Sequence, residues 1–250
     1  KHISLAESLT MNLGNQEICG DDHLTKLQVL RYIYFNFFRG LLGYRTKLKT
    51  KKYPVAITVT TRQSPMRAYN NRFFETYLRK FISERKNVDL LEIGCGTGVL
   101  HRILNKINFS GNYTGIDERE SKHWKTRRCE KSRFICTSIE NFETDEKFDL
   151  IVSYNVMEHI ERDDLMMEKC KNLIKSDGIQ IHTVPSFWSL PLYLAHGYRQ
   201  YYPENIKRIF GENCEIFRLG GFFTMLAHFV FITIPGLSRI TLQPKNTVLY

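Results

Sequence analysis

Apolar positions in the middle of the chain follow two alternating patterns. Short apolar runs typical of strands are followed by segments in which apolar residues recur at helical spacing. The runs predict strands at 88–93, 113–116, 133–137, 148–154 and 179–184. Helices are predicted at 97–107, over a polar and basic stretch ending near 130, and at 163–174. Repeated strand–helix units of this length predict an α/β fold, with right-handed crossovers and a parallel sheet covered by helices.

The flanking regions carry weaker patterns. Residues 24–42 predict an apolar helix, 53–61 favours strand, and 67–83 predicts a helix that leads into the first strand. Beyond the fifth strand, Pro203 is expected to open a helix that reaches 210. Segments 214–219 and 247–250 are the candidates for a sixth and a seventh strand.

Charge is distributed unevenly along the 250 residues. The net charge of +10 comes from 36 Lys and Arg against 26 Asp and Glu. Residues 1–86 hold sixteen basic and six acidic side chains, whereas 87–250 hold twenty of each. We therefore predict a basic N-terminal cap, 1–86, and a balanced domain, 87–250, with an apolar insertion around 222–241. A basic attachment favours an anionic partner, such as a membrane surface, a nucleic acid or an acidic substrate.

Composition and cysteine usage exclude several classes of protein. With 42% hydrophobic residues and 13% aromatic residues, the chain is neither disordered nor collagen-like. None of the six cysteines has the spacing of zinc ligands, so no metal site is predicted and a reducing, cytoplasmic compartment is expected. The longest apolar runs, 27–42 and 222–237, are interrupted by polar residues and fall short of the ~20 residues that a bilayer span needs. Peripheral attachment to a membrane stays open.

The segment Leu90–Gly98, with the sequence LLEIGCGTG, carries the most specific signal. A predicted strand runs into three glycines at alternate positions, and a predicted helix follows. Glycines allow a sharp turn and a close approach of a ligand to the backbone, and the helix start adds unpaired N–H groups. The spacing differs from the G-x-G-x-x-G of dinucleotide sites. Asp117, at the end of the second strand, is placed to accept hydrogen bonds from ribose hydroxyls. Together these features predict a nucleoside site.

This pattern resembles the class I S-adenosylmethionine-dependent methyltransferases over roughly residues 85–220. The glycine turn is similar to their first motif, and GIDE (115–118) to the acidic end of their second strand. FDLIVSYNVMEHI (148–160) and LIKSDGIQIHTVP (173–185) are similar to their fourth and fifth strands. The VMEHI segment resembles the small-molecule branch that includes ubiquinone-biosynthesis O-methyltransferases. The resemblance implies a Rossmann-like, seven-stranded, mostly parallel sheet with helices on both faces, here preceded by the helical basic cap.

The resemblance also implies which residues bind S-adenosyl-L-methionine, whose product is S-adenosyl-L-homocysteine. The methionine and ribose pocket would be shaped by Glu92, Gly94, Cys95, Gly96 and Gly98. Asp117 would bind the ribose, Glu118 and Ser138 would lie beside the adenine, and Ile139 would pack on it. Ser153 and Tyr154 would flank the sulfonium. An acid often found after the third strand is absent here, because that stretch reads Thr137-Ser138-Ile139-Glu140.

His159 is the candidate general base, since an imidazole titrates near neutrality. A structural histidine beside Glu158 is the alternative. Methyl transfer from a sulfonium depends mainly on alignment of the acceptor, so a base matters most for an alcohol. The fourth strand ends in SYNV, unlike the [D/N]-P-P-[Y/F] of enzymes that methylate nucleic-acid amino groups. Exocyclic N-methylation of bases is therefore not expected.

The flanks are expected to contribute the acceptor site. The aromatic segment 186–202, with His196 and Arg199, suits a lid over an amphipathic or ring-bearing acceptor. Basic residues before the first strand would reach an anionic group: Arg62, Arg67 and Arg72, with Tyr69 beside them. The leading hypothesis is O-methylation of a small or lipid-linked acceptor, such as a glycan intermediate or a quinone-type ring. The alternatives are an RNA or protein methyltransferase that docks through 1–86, and a non-catalytic cofactor-binding subunit. A homodimer interface is the other explanation for the apolar flanks.

Overall fold

The computed structural model describes residues 25–43, 49–54, 57–58, 64–189, 192, 197–211, 213–234 and 248–249. The chain divides into two compact units, one of residues 74–184 and one of residues 1–73 with 185–250. The helices are α1 (Lys26–Gly43), α2 (Pro65–Ser83), α3 (Val99–Lys106), α4 (Asp163–Leu173), α5 (Pro203–Phe210) and α6 (Phe222–His228). The strands are β1 (Thr50–Lys52), β2 (Ile57–Thr58), β3 (Asp89–Ile93), β4 (Asn112–Asp117), β5 (Ser132–Cys136), β6 (Phe148–Tyr154), β7 (Ile174–Thr183), β8 (Ile216–Arg218) and β9 (Val248–Leu249).

The unit of residues 74–184 is built on a five-stranded parallel sheet in the order β5-β4-β3-β6-β7. The chain reverses its direction of travel across the sheet between β3 and β6, which are neighbours. In open α/β sheets, ligands bind outside the carboxyl ends of the strands at such a switch point. The fold class predicted from the sequence, α/β and Rossmann-like, is confirmed.

Apolar residues on β3, β4 and β6 form the core of this sheet because both faces are covered. Leu90, Leu91, Ile116, Leu150 and Ile151 have no exposed surface. Helix α3 buries Leu100, His101, Ile103 and Leu104 against the sheet, as its helical spacing predicted. The continuous apolar run of β6 is typical of a strand buried on both faces.

The second unit contains short strand pairs and amphipathic helices. Strand β1 pairs in parallel with β8, and β2 pairs antiparallel with β9. The predicted sixth and seventh strands are thus present as β8 and β9, and they pair with these short strands rather than with the five-stranded sheet. Helix α6 continues as a π-helix over Phe229–Thr233. Among the described residues, no helix has the length and apolar character that crossing a bilayer requires.

Two predicted elements differ from the structure. The helix predicted to end near 130 is wrong, because that stretch forms a single 3₁₀ turn, Lys122–Trp124, in which Ser121 Oγ accepts from the His123 amide. The glycine turn predicted at 177–178 lies inside β7. There the register changes from Phe148 opposite Ile174 to Leu150 opposite Ile179, so three extra residues bulge out of the strand.

Candidate functional site

The glycine loop Gly94–Gly98 leaves the carboxyl end of the central strand β3 and enters α3. Its three glycines all have left-handed φ angles, 67° at Gly94, 48° at Gly96 and 75° at Gly98. L-residues with a side chain rarely adopt this conformation. A Cβ at Gly94 would also come within 2.6 Å of Val156 Cγ1, whereas a Cβ at Gly96 would meet nothing within 4 Å. The loop is therefore packed at Gly94 and open at Gly96.

Asp117 holds the loop from the end of the neighbouring strand β4. Its Oδ2 accepts a hydrogen bond of 2.8 Å from the Gly96 amide, and its Oδ1 accepts one of 3.0 Å from the Arg119 amide. A carboxylate has about four acceptor positions, so each oxygen keeps a lone pair for a further donor. The side chain is half-buried. This geometry suits a residue that both fixes the loop and accepts from vicinal hydroxyls.

Trp124 supports the other side of the loop and was missed by sequence reasoning. Its indole Nε1 donates to the Gly96 carbonyl oxygen at 2.8 Å. The side chain is fully buried and stacks on Phe134, with ring centroids 5.5 Å apart. The sequence offered one signal, a rare tryptophan within a polar, basic stretch. Gly96 is thus held at both its amide and its carbonyl.

Glu92 lies beneath the loop as a buried carboxyl group, 2% exposed. Burial raises its pKa to about 8, although the hydrogen bond that it accepts from the Tyr113 hydroxyl works in the opposite direction. The nearby charge of Asp117 raises the pKa further, and Arg127 lowers it. Near neutral pH the group is therefore mostly protonated, and it acts as a hydrogen-bonding support for the loop.

Arg127 and His101 complete the polar layer around Glu92, and neither was predicted. A Cβ on Gly98 would meet the Arg127 guanidinium, whose Nη1 is buried and has no hydrogen-bond partner among the described residues. Burial lowers the pKa of Arg127, and Arg102 lowers it further. The ring of His101 packs against that of Tyr113, with centroids 4.9 Å apart. Their roles depend on side chains far apart in the sequence.

The end of β6 brings Ser153 and Tyr154 to the same edge of the sheet. Ser153 is fully buried, and its hydroxyl lies 2.8 Å from His182 Nδ1 on β7. Burial lowers the pKa of His182 to about 4. The ring of Tyr154 packs against Phe74, with centroids 5.1 Å apart. Asn155 follows with a φ of 53° and accepts from the Thr183 hydroxyl at 2.8 Å. The strand end is therefore fixed, while the predicted contacts of Ser153 and Tyr154 with the sulfonium stay predictions.

The remaining predicted residues lie at the same edge. Cys95 is buried beside Tyr113 and Gly115, and burial raises its pKa, which fits a packing role. Glu118 follows β4 and is exposed. After β5, Ser138 Oγ accepts from the Asn141 amide at 3.3 Å, and Ile139 is 3% exposed.

His159 ends a 3₁₀ turn, Met157–His159, that follows β6. Its amide donates to Val156 at 2.8 Å, and Val156 is the residue that packs on Gly94. The turn thus touches the glycine loop through one side chain. Two residues expected at the acceptor site, Arg62 and His196, lie outside the described residues.

The comparisons with known proteins concern the region just described. Residues 91–181 match the family model described as a methyltransferase domain. The ubiquinone biosynthesis O-methyltransferase of Bradyrhizobium diazoefficiens is 26% identical over 97 residues, which cover 37% of this chain and 38% of that protein. The enzyme of the same name from Glaesserella parasuis serovar 5 is 34% identical over 101 residues, 36% and 42% of the two chains. The chain thus spans less than half the length of these curated relatives.

Solved structures give likenesses of the same kind. A S-adenosylmethionine-dependent methyltransferase from Clostridium acetobutylicum is 25% identical, with a TM-score of 0.42, over 49% of this chain and 52% of that one. The plantazolicin methyltransferase BpumL in complex with SAH is 19% identical, with a TM-score of 0.45, over 82% and 76% of the two chains. The matched family segment begins in β3, includes the glycine loop and ends in β7, which confirms the resemblance drawn from the sequence.

Proposed function

We propose, from the premise that residues 91–181 are a methyltransferase domain of the class I type, that the chain binds S-adenosyl-L-methionine and methylates a small or lipid-linked acceptor, at oxygen. The observation that carries the proposal is the loop of three left-handed glycines bound to Asp117 at the switch point of the sheet. The names of the relatives in the comparisons favour a small molecule as the acceptor.

The residues present fit the cofactor by their chemistry. Gly96 leaves open space where a side chain would stand, so a ligand can approach the backbone closely. Asp117 keeps acceptor positions for two ribose hydroxyls. The neutral state of Glu92 limits the negative charge beneath the loop, and Gly98 places the start of α3 beside it. In this assignment the loop and Asp117 hold the nucleoside, while the end of β6 lies toward the methionine.

Bound S-adenosylmethionine would supply an electrophilic methyl group on a sulfonium. The chain's own part is to orient the donor and to exclude water, and fixing the geometry can supply much of the rate enhancement. The rigid ends of β3, β4 and β6 suit this task because hydrogen bonds hold each of them. His159 takes the proton from the acceptor hydroxyl in this proposal. In His159→Ala, turnover should fall ~10²-fold or more with unchanged cofactor affinity, and an unchanged rate would assign the histidine a structural role.

Calorimetric titration with S-adenosylhomocysteine tests the cofactor assignment. Asp117→Ala should weaken binding by roughly 1–3 kcal/mol, because a partner of the ribose hydroxyls and of the Gly96 amide is lost. Asp145→Ala, which changes an exposed acid in the loop before β6, is the matched control and should bind like the wild type. Equal affinity of the Asp117 variant and the wild type would overturn the ribose assignment.

The acceptor is identified by a separate experiment with methyl-labelled cofactor and cell extract. Label should enter the lipid or glycan fraction if the proposal is right. Label in RNA or protein would favour the alternative in which residues 1–86 dock such a substrate. Normal cofactor affinity without transfer to any fraction would favour a non-catalytic subunit.

Contact with an anionic membrane is the second part of the proposal, and helix α1 supports it. Its exposed apolar side chains lie on one face and are Leu27, Leu30, Tyr34, Phe37 and Phe38. On the opposite face, Asn36 is 4% exposed and accepts from the Gln200 amide at 3.0 Å and from the Tyr202 hydroxyl at 3.0 Å. One face is therefore anchored within its own unit, and the other presents apolar surface within the basic third of the chain. Amphipathic helices with basic residues bind anionic lipid surfaces in this way.

A further inference from the structure

A cavity of about 250 Å³ lies at the edge of the sheet opposite the glycine loop. Gly111 precedes β4 and Ser132 begins β5, so the cavity sits at the amino ends of these strands, whereas the loop follows the carboxyl end of β3. The other lining residues that matter here are His101, Cys129 and Lys131. The methyl-transfer proposal uses none of this surface.

Cys129 stands at the mouth of the cavity with an exposed side chain. Its amide donates to the Ser132 carbonyl at 3.3 Å, and the Ser132 amide donates to the Cys129 carbonyl at 3.0 Å, which closes a tight turn. A hydrogen bond from the Ser132 side chain lowers the pKa of the Cys129 thiol, and a backbone hydrogen bond from Lys131 lowers it further. Burial and the charge of Glu130 work in the opposite direction. The turn thus aims donors at the sulfur.

His101 extends this arrangement into the cavity wall. It is 4% exposed, and its Nε2 lies 3.1 Å from Ser132 Oγ. Burial lowers its pKa, and Arg127 lowers it further, so the ring is neutral at pH 7. With its proton on Nε2, His101 donates to Ser132, whose single hydroxyl proton then points to the sulfur. Nδ1 is left as a buried acceptor with no partner among the described residues.

We propose that Cys129 is a reactive thiol, and that the cavity beside it holds the group transferred to it from a small disulfide. The thiolate of Cys129 attacks one sulfur of the disulfide, a new S–S bond forms, the old S–S bond breaks, and the departing thiolate takes up a proton from water. Reactive cysteines need thiolate character and access. The Ser132–His101 chain supplies the first, and exposure at the cavity mouth supplies the second.

Cys136 provides a matched comparison within the same strand pair. It is also exposed, but its thiol donates a hydrogen bond of 3.4 Å to the Glu118 carbonyl, which favours the protonated form. Oxidised glutathione at pH 7, followed by peptide mapping, should modify Cys129 at least tenfold faster than Cys136. Cys129→Ser should abolish the fast adduct, and Cys136→Ser should keep it. Equal rates at the two cysteines, or no adduct, would overturn the proposal.

Two further variants separate the relay from the cavity. Ser132→Ala should slow the reaction several-fold at pH 7 and move its pH profile upward, because the donor to the thiolate is lost. Asn105→Trp places a large side chain at the cavity wall and should slow glutathionylation while leaving the reaction with methyl methanethiosulfonate, a much smaller reagent, unchanged. An Asn105 variant that reacts equally fast with oxidised glutathione would contradict the role of the cavity. None of these readouts depends on cofactor binding.

Discussion

The glycines at 94, 96 and 98 share a left-handed backbone but differ in their surroundings, so the same substitution should have different consequences. Gly96→Ala adds a methyl group to open space and should cost about 1–2 kcal/mol of stability from backbone strain alone. The same methyl group occupies space that the proposed cofactor needs, so affinity for S-adenosylhomocysteine should fall at least tenfold. Urea denaturation and calorimetry measure the two effects separately.

The adjacent glycine provides the contrast. Gly94→Ala adds a steric clash with Val156 to the same strain, so it should destabilise the fold more than Gly96→Ala does. Val156→Ala should restore part of that stability in the double variant, because it removes the overlapping methyl groups. If the double variant is less stable than Gly94→Ala by the full effect of Val156→Ala, the clash is not the cause.

Glu92 predicts a pH dependence whose sign follows from its raised pKa. The folded protein keeps a proton on this carboxyl up to about pH 8, whereas the unfolded chain releases it near pH 4.5. The contribution of Glu92 to stability is therefore complete at low pH and is lost as the pH rises through that window. Between pH 5.5 and 8 the loss should be roughly 3 kcal/mol.

Glu92→Gln tests this sign, since an amide imitates the protonated carboxyl and still accepts from Tyr113. Urea midpoints at pH 5.5 and 8 should differ less in this variant than in the wild type. Glu84→Gln, at an exposed position, should leave the wild-type pH dependence intact. A Glu92 variant with the full wild-type dependence would show that other groups cause it.

At the scale of elements, the segment after β4 ties the cofactor loop to the core through one indole. Trp124→Phe removes the donor to the Gly96 carbonyl, which should lower both stability, by about 1–3 kcal/mol, and affinity for S-adenosylhomocysteine. Phe134→Leu weakens the stack beneath Trp124 but keeps that hydrogen bond, so it should lower stability with a smaller effect on affinity. Equal losses of affinity in the two variants would mean that general loosening, not the hydrogen bond, acts on the loop.

The same segment shows what a sequence pattern can predict. The strands of the sheet were predictable because continuous apolar runs such as 148–154 leave few alternatives. The helix after β4 was not, because the Ser121 cap and the Trp124–Gly96 hydrogen bond stabilise a single turn. Pairing partners were also hidden. Strand β8 was predicted as a segment, yet its partner β1 lies more than 160 residues away in the sequence.

The cofactor site divides along the same line. Glu92, the glycines and Asp117 form a short motif, so their placement followed from local sequence. Tyr113, Arg127 and His101 complete the layer through contacts that depend on how α3 and the segment after β4 pack, and no local pattern marks them. Long-range packing of this kind is what a single sequence leaves open.

At the scale of the whole molecule, the excess charge and the exposed apolar surface occur in the same part of the chain. Residues 1–86 carry the entire net charge of +10, and α1 lies within them. Either feature alone has an ordinary explanation, since basic runs are often solvated and single apolar residues are often exposed. An anchored helix that exposes five apolar side chains on one face, among basic residues, favours a surface that is both apolar and anionic.

Vesicle sedimentation tests this combination. The wild type should bind phosphatidylglycerol vesicles much more strongly than phosphatidylcholine vesicles, and binding should weaken in high salt because the charges are screened. Leu30→Glu with Phe37→Glu should reduce binding at least tenfold, because both side chains are about half exposed or more on α1. Leu165→Glu changes a comparably exposed leucine on α4, in the balanced region, and should bind like the wild type.

The outcomes also separate the competing partners of α1. Salt-sensitive binding to RNA without binding to vesicles would assign the basic segment to nucleic acid and overturn the membrane proposal. A wild type that is dimeric and ignores vesicles, together with a monomeric Leu30–Phe37 double variant, would assign the apolar face to a second copy of the chain. Circular dichroism of the double variant should match that of the wild type, because both substitutions lie on the exposed face, opposite the Asn36 anchor. Loss of binding can then be attributed to the surface and not to unfolding.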